Sequence, residues 1–153
     1  MSVILFSWQQ QLMNRLIEPD SCVSCWYVAP QTALGKTWMA HYLSDACGAL
    51  NTYPFADSLP LTHTIQAVKH YLHDNCSCGN SGNHQFENRL PGEPITQAPT
   101  QKIVVFDTHT GCKLRHRLKR LCPWLTFSHV IVFTDKSPDK ETLALRDWEI
   151  VNL

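Results

Sequence analysis

Apolar positions along this chain change period several times, and each change marks an element. Between residues 8 and 17 they fall at Trp8, Leu12, Met13 and Leu16. These three- and four-residue steps predict a helix with one buried face, and Pro19 and Asp20 end it. Cys25, Trp26, Tyr27, Val28 and Ala29 form an unbroken apolar and aromatic run of strand length. Residues 30–35 read as a loop, and 36–46 return to helical spacing through Met39, Tyr42 and Leu43. A second strand is predicted within 50–55, and a helix over 64–72, where Ile65, Val68 and Leu72 share a face.

The pattern then lapses. Residues 74–100 turn to Gly, Asn, Ser, Pro and Gln with few aliphatic side chains, which predicts a loop unusually long for a compact domain. Order returns with Ile103, Val104, Val105, Phe106 and Asp107, a fully buried strand ending in a carboxylate. A helix follows over 112–121 with Leu114, Leu118 and Leu121 on one side. Val130, Ile131, Val132 and Phe133 repeat the buried-strand signature, and 148–153 adds a short last strand. Continuous apolar strands separated by helices imply an α/β fold, a mainly parallel sheet covered on both faces.

Length and charge narrow the classes without deciding among them. The 153 residues, 44% of them hydrophobic, suit a single domain spanning 1–153 that needs no disulfides. Thirteen basic residues balance thirteen acidic ones, so attraction to a polyanion has to come from local clustering. The apolar run at Val3 to Phe6 lacks preceding basic residues and does not resemble a secretory signal, and no stretch is long enough to span a bilayer. The chain therefore reads as soluble and intracellular, with no membrane partner. Its seven cysteines, an odd number, read as reduced thiols.

The chemistry concentrates at Ala29, Pro30, Gln31, Thr32, Ala33, Leu34, Gly35, Lys36 and Thr37, between a predicted strand and a predicted helix. A P-loop needs this setting. Its backbone amides and helix N-terminus cradle phosphates, its lysine neutralises the outer ones, and its hydroxyl binds magnesium. Gly35, Lys36 and Thr37 supply the terminal elements, while Ala29, Pro30 and Thr32 occupy the places where an earlier glycine is usual. Asp107 suits the second half of such a site, an aspartate closing a strand beside the P-loop strand and holding Mg2+ with Thr37. Thr108 and His109 stand where ATPases of this type place a second carboxylate, which points to slow hydrolysis or to His109 in that role.

These residues, together with Trp8, Gln9 and Gln10, the 129–135 segment and 138–148, resemble in the same order the helicase part of replication initiator (Rep) proteins of small circular single-stranded-DNA viruses. The nanovirus and alphasatellite types are the nearest likeness, and only 74–100 falls outside it. The resemblance implies a superfamily 3 P-loop ATPase that binds ATP and Mg2+, forms ring-shaped homo-oligomers, translocates on single-stranded DNA and works in a host nucleus. It assigns Lys36 and Thr37 to the Walker A pair, Asp107 to Walker B, Asp135 to the sensor position, where the family carries asparagine, and Arg146 to a trans-acting finger. The His-hydrophobic-His pair of the family's nicking domain is lacking, so no endonuclease activity is expected.

Three further features extend the reading. Lys113, Arg115, Arg117, Lys119 and Arg120 lie on the predicted 112–121 helix and are expected to point outward, either tracking DNA phosphates or forming a solvated face. Cys22, Cys25, Cys76, Cys78 and His84 offer zinc-ligand types at irregular spacing, against free thiols as the alternative. Trp26, Trp124 and Trp148 read as packing aromatics. An aspartate at 135, beside a triphosphate, also keeps open a second function, a nucleotide-binding or oligomerisation module that has lost hydrolysis. A small P-loop kinase is a third, but it needs an arginine-rich lid and 74–100 contains only Arg89.

Overall fold

The computed structural model describes residues 4–18, 22–29, 35–52, 60–73, 101–107 and 111–153. The strands are β1 (Ser24–Val28), β2 (Leu50–Asn51), β3 (Ile103–Asp107), β4 (His129–Thr134) and β5 (Glu149–Asn152). The helices are α1 (Ser7–Leu16), α2 (Lys36–Cys47), α3 (Leu61–His73), α4 (Gly111–Leu121) and the short α5 (Lys140–Leu143), with a 3-10 turn at Cys122–Trp124. Every strand pair is parallel, in the order β2-β3-β4-β1-β5. The α/β class and the parallel sheet expected from the sequence are both present.

Strand alternation sorts the core into two layers. On one face Cys25, Tyr27, Ile103, Val105, Ile131 and Phe133 meet Leu12 and Leu16 of α1 and Met39, Ala40 and Leu43 of α2. On the other, Trp26, Val28, Val104, Phe106, Val130 and Val132 meet Val68 of α3 and Leu114, Leu118 and Leu121 of α4. Topology explains this division. The chain leaves β1 toward the β2 edge and then works back through β3 and β4 to β5, and right-handed crossovers put connections of opposite direction on opposite faces.

One expectation is corrected by the strand order. The sequence expectation sets Asp107 at the end of a strand beside β1, but β4 lies between β1 and β3. Apolar runs report burial on two faces and carry no information about lateral neighbours. The second strand covers Leu50–Asn51, and 53–59 and the predicted 74–100 loop lie outside the described residues. Among the described residues no helix is long and apolar enough to cross a membrane.

Candidate functional site

In an open parallel sheet, ligands bind beyond the carboxyl ends of the strands, where neighbouring strands send their connections to opposite faces. Here those neighbours are β1, which continues into α2 on one face, and β4, which continues toward α5 on the other. Lys36, the first residue of α2, turns back over this point. Its Nζ donates to the carbonyl oxygen of Ala29 at 3.0 Å and lies 3.5 Å from that of Thr134, and the side chain is buried. The Thr134 oxygen also accepts the Ala29 N–H at 2.9 Å.

Gly35 makes the turn into α2. Its φ of +82° is left-handed, a region that costs an L side chain, and its carbonyl opens the helix by accepting the Met39 N–H at 2.9 Å. A side chain would also crowd its neighbours, since a Cβ there would stand 2.6 Å from Gln9 Nε2, which would have to shift, and 3.2 Å from the Phe6 ring. Gln9 is the residue that fixes this geometry. It is buried, its Oε1 accepts the Phe6 N–H at 2.8 Å at the start of α1, and its Nε2 donates to Gly35 O at 3.2 Å. One amide thus ties the first turn of α1 to the first turn of α2.

Two carboxylates end the neighbouring strands. Asp107 closes β3 and is buried, while Asp135, half-buried, follows β4 and accepts from Thr134 Oγ1 at 3.4 Å. Because β4 adjoins β1, the Thr134 and Asp135 corner is the nearer of the two to the Lys36 strand. Thr37 is exposed at the N-terminal turn of α2, where helix amides and the helix dipole favour anions.

No protein-family model matches the chain, and no curated protein matches it. What the site does has to be read from its own geometry.

Several residues singled out in the sequence stand elsewhere. Arg146 lies at the amino edge of the sheet, where its Nε donates to Ser24 Oγ at 2.8 Å, Nη1 to Leu125 O at 2.8 Å and Nη2 to Ser128 O at 3.2 Å. That edge is the length of β1 away from Ala29, roughly 16 Å at about 3.3 Å per residue. Arg146 therefore does not reach Lys36 of its own chain, whereas the trans-acting role expected of it concerns the site of a second copy. The basic face of α4 is also broken up. Arg117 is buried instead of pointing outward, and Arg115 pairs with Asp139 at 2.9 Å and Glu141 at 3.6 Å. Lys119 and Arg120 are exposed as expected.

Cys22 is exposed whereas Cys25 is buried in the sheet, where burial raises its thiol pKa despite the opposing influence of Arg15. The remaining candidate zinc ligands, Cys76, Cys78 and His84, lie outside the described residues, as do Pro30, Thr32, Thr108, His109 and the side chain of Lys113. Trp26 and Trp148 pack edge to face at 5.3 Å, and Trp26 Nε1 donates to Lys136 O at 2.9 Å. Trp124, also read as packing, is 46% exposed and carries Lys69 over its ring at 4.2 Å. A cavity of about 250 Å³ opens between Trp26, Thr134, Pro138 and Thr142.

Proposed function

We propose that this chain is a P-loop domain that binds ATP with Mg2+ at the carboxyl edge of β1 and β4, as the ATPase of a superfamily 3, Rep-like helicase acting on single-stranded DNA. The observation that carries the reading is the placement of Lys36. A buried ammonium held by two backbone carbonyls, at the start of a twelve-residue helix and beside a left-handed glycine, is an anchored cation where an anion is favoured from two directions. A triphosphate exchanges those weak neutral acceptors for charged ones.

Magnesium fits the same corner. It takes one or two protein oxygens together with phosphates and water, so a dedicated cage of carboxylates is not required. The Thr37 hydroxyl, the Asp107 carboxylate ending β3 and the nearer Asp135 after β4 are oxygens that would hold the ion, and its contribution when bound would be to neutralise charge on the phosphates. Lys36 orients the phosphates, and Gly35, braced by Gln9, holds the helix start in place.

Two placements favour the second reading, nucleotide binding without turnover. Asp135 brings a carboxylate to the corner next to Lys36, and Arg146 is bonded into the amino edge. ATP binding and turnover, measured with and without single-stranded DNA for the native chain and Lys36→Ala, separate the readings. DNA-stimulated turnover lost in the variant supports the helicase ATPase; binding without turnover selects the second reading; no binding by the native chain removes both.

A further inference from the structure

The phosphate reading leaves the nucleoside unplaced. With phosphates at Lys36 and the start of α2, the sugar and base have to pass over residues next to that turn in chain or in space. Trp38 is next in chain and Phe6 is next in space, its ring 3.2 Å from where a Gly35 Cβ would lie. Both are aromatic and both are open to solvent, Phe6 at 58% and Trp38 at 45%. Neither is loosely held. The Phe6 backbone is tied to Gln9 and its ring lies against the Gly35 turn, and Trp38 lies flat on Tyr42, with centroids 5.1 Å apart and planes 12° from parallel.

We propose that Phe6 and Trp38 form the nucleobase subsite of this nucleotide site, holding a purine by stacking. The inference rests on the phosphate reading above. A large apolar ring exposed on a protein surface gains by covering, and a base offers a flat π-face of matching size. Stacking tolerates different bases because each has such a face, so selectivity follows ring size and separates purines from pyrimidines.

Calorimetric titration of the full chain with MgATP, MgGTP, MgUTP and magnesium tripolyphosphate tests the subsite. ATP and GTP should bind within about threefold of each other, UTP more weakly, and tripolyphosphate roughly tenfold more weakly than ATP. Phe6→Ala and Trp38→Ala should each weaken ATP by roughly fivefold or more while leaving tripolyphosphate unchanged, and Trp38→Phe should restore most of the loss. Equal affinity for ATP and tripolyphosphate, or a parallel change in both ligands, overturns the subsite. Lys36→Ala keeps the two levels apart. If it weakens ATP and tripolyphosphate together, the phosphate reading stands whatever becomes of the subsite. If it weakens neither, or the native chain binds neither, both fall.

Discussion

The two ends of β1 and β4 each carry a cation bonded to backbone carbonyls, Lys36 buried and Arg146 half-buried, and the two are built differently. At the amino edge Arg146 spreads three nitrogens over Ser24, Leu125 and Ser128, with the buried His129 close by. The planar fork matches those acceptors and locks the strand ends. At the carboxyl edge Lys36 presents a single atom to two carbonyls, one of them at 3.5 Å and already in use. A fork engaged on several sides is suited to structure. A point charge with loose neutral acceptors is suited to exchange. Both edges carry a positive charge, and the geometry of the acceptors distinguishes them.

Breaking the amino edge should have the largest effect on folding. Arg146→Ala removes the guanidinium bonds to Ser24, Leu125 and Ser128, although the Leu125 carbonyl keeps the Ser128 N–H, and should cost about 3 kcal/mol, read as a lower urea midpoint with unchanged nucleotide affinity in the folded fraction. The carboxyl edge should respond in the opposite way. Lys36→Ala should weaken MgATP at least about a hundredfold, about 2.7 kcal/mol, with a smaller change in the midpoint than Arg146→Ala gives. Equal loss of stability from both variants would remove the distinction between the edges. Gly35→Ala, which meets both the left-handed φ and the Gln9 amide, should cost about 2 kcal/mol by the same denaturation assay.

The smallest effect is in pH. His129 Nδ1 accepts the Val23 N–H at 2.9 Å, and burial first, with the Arg146 charge second, lowers its pKa to about 4. The unfolded chain takes up this proton near the ordinary value of 6.5 while the folded chain does not. Stability contributed by the neutral ring is therefore complete above pH 6.5, falls as pH drops toward 4, and levels off below it. Urea midpoints at pH 7, 6 and 5 should show that slope, and His129→Asn, whose Oδ1 still accepts from Val23, should flatten it.

Much of the architecture is legible in the sequence because buried parallel strands are continuous apolar runs. The predicted elements at 8–17, 25–29, 36–46, 64–72, 103–107, 112–121 and 130–133 differ from the observed bounds only at their ends. Strand order was not legible, since burial is the same whichever neighbour covers an edge. Arg117 was legible and misread: it lies three residues after Leu114 and four before Leu121, on the buried face of α4. Gln9 carried only a local signal, a glutamine at the third helical position, which suggests bonding back to the helix start but not across to Gly35. Arg146 shows a different limit, because order along the chain does not say which edge of the sheet a residue reaches.

The Gln9 bridge has a consequence for how such a sequence can drift. Positions 9 and 35 meet: a Cβ at 35 would push the Gln9 amide out of place, and the carbonyl at 35 keeps its second donor, beside the Met39 N–H, only while 9 is an amide of that length. In a set of diverged relatives the two should change together or not at all. A single substitution at either position would have to pass through a state worse than both ends, so the pair should behave as one heritable unit although 26 residues separate them.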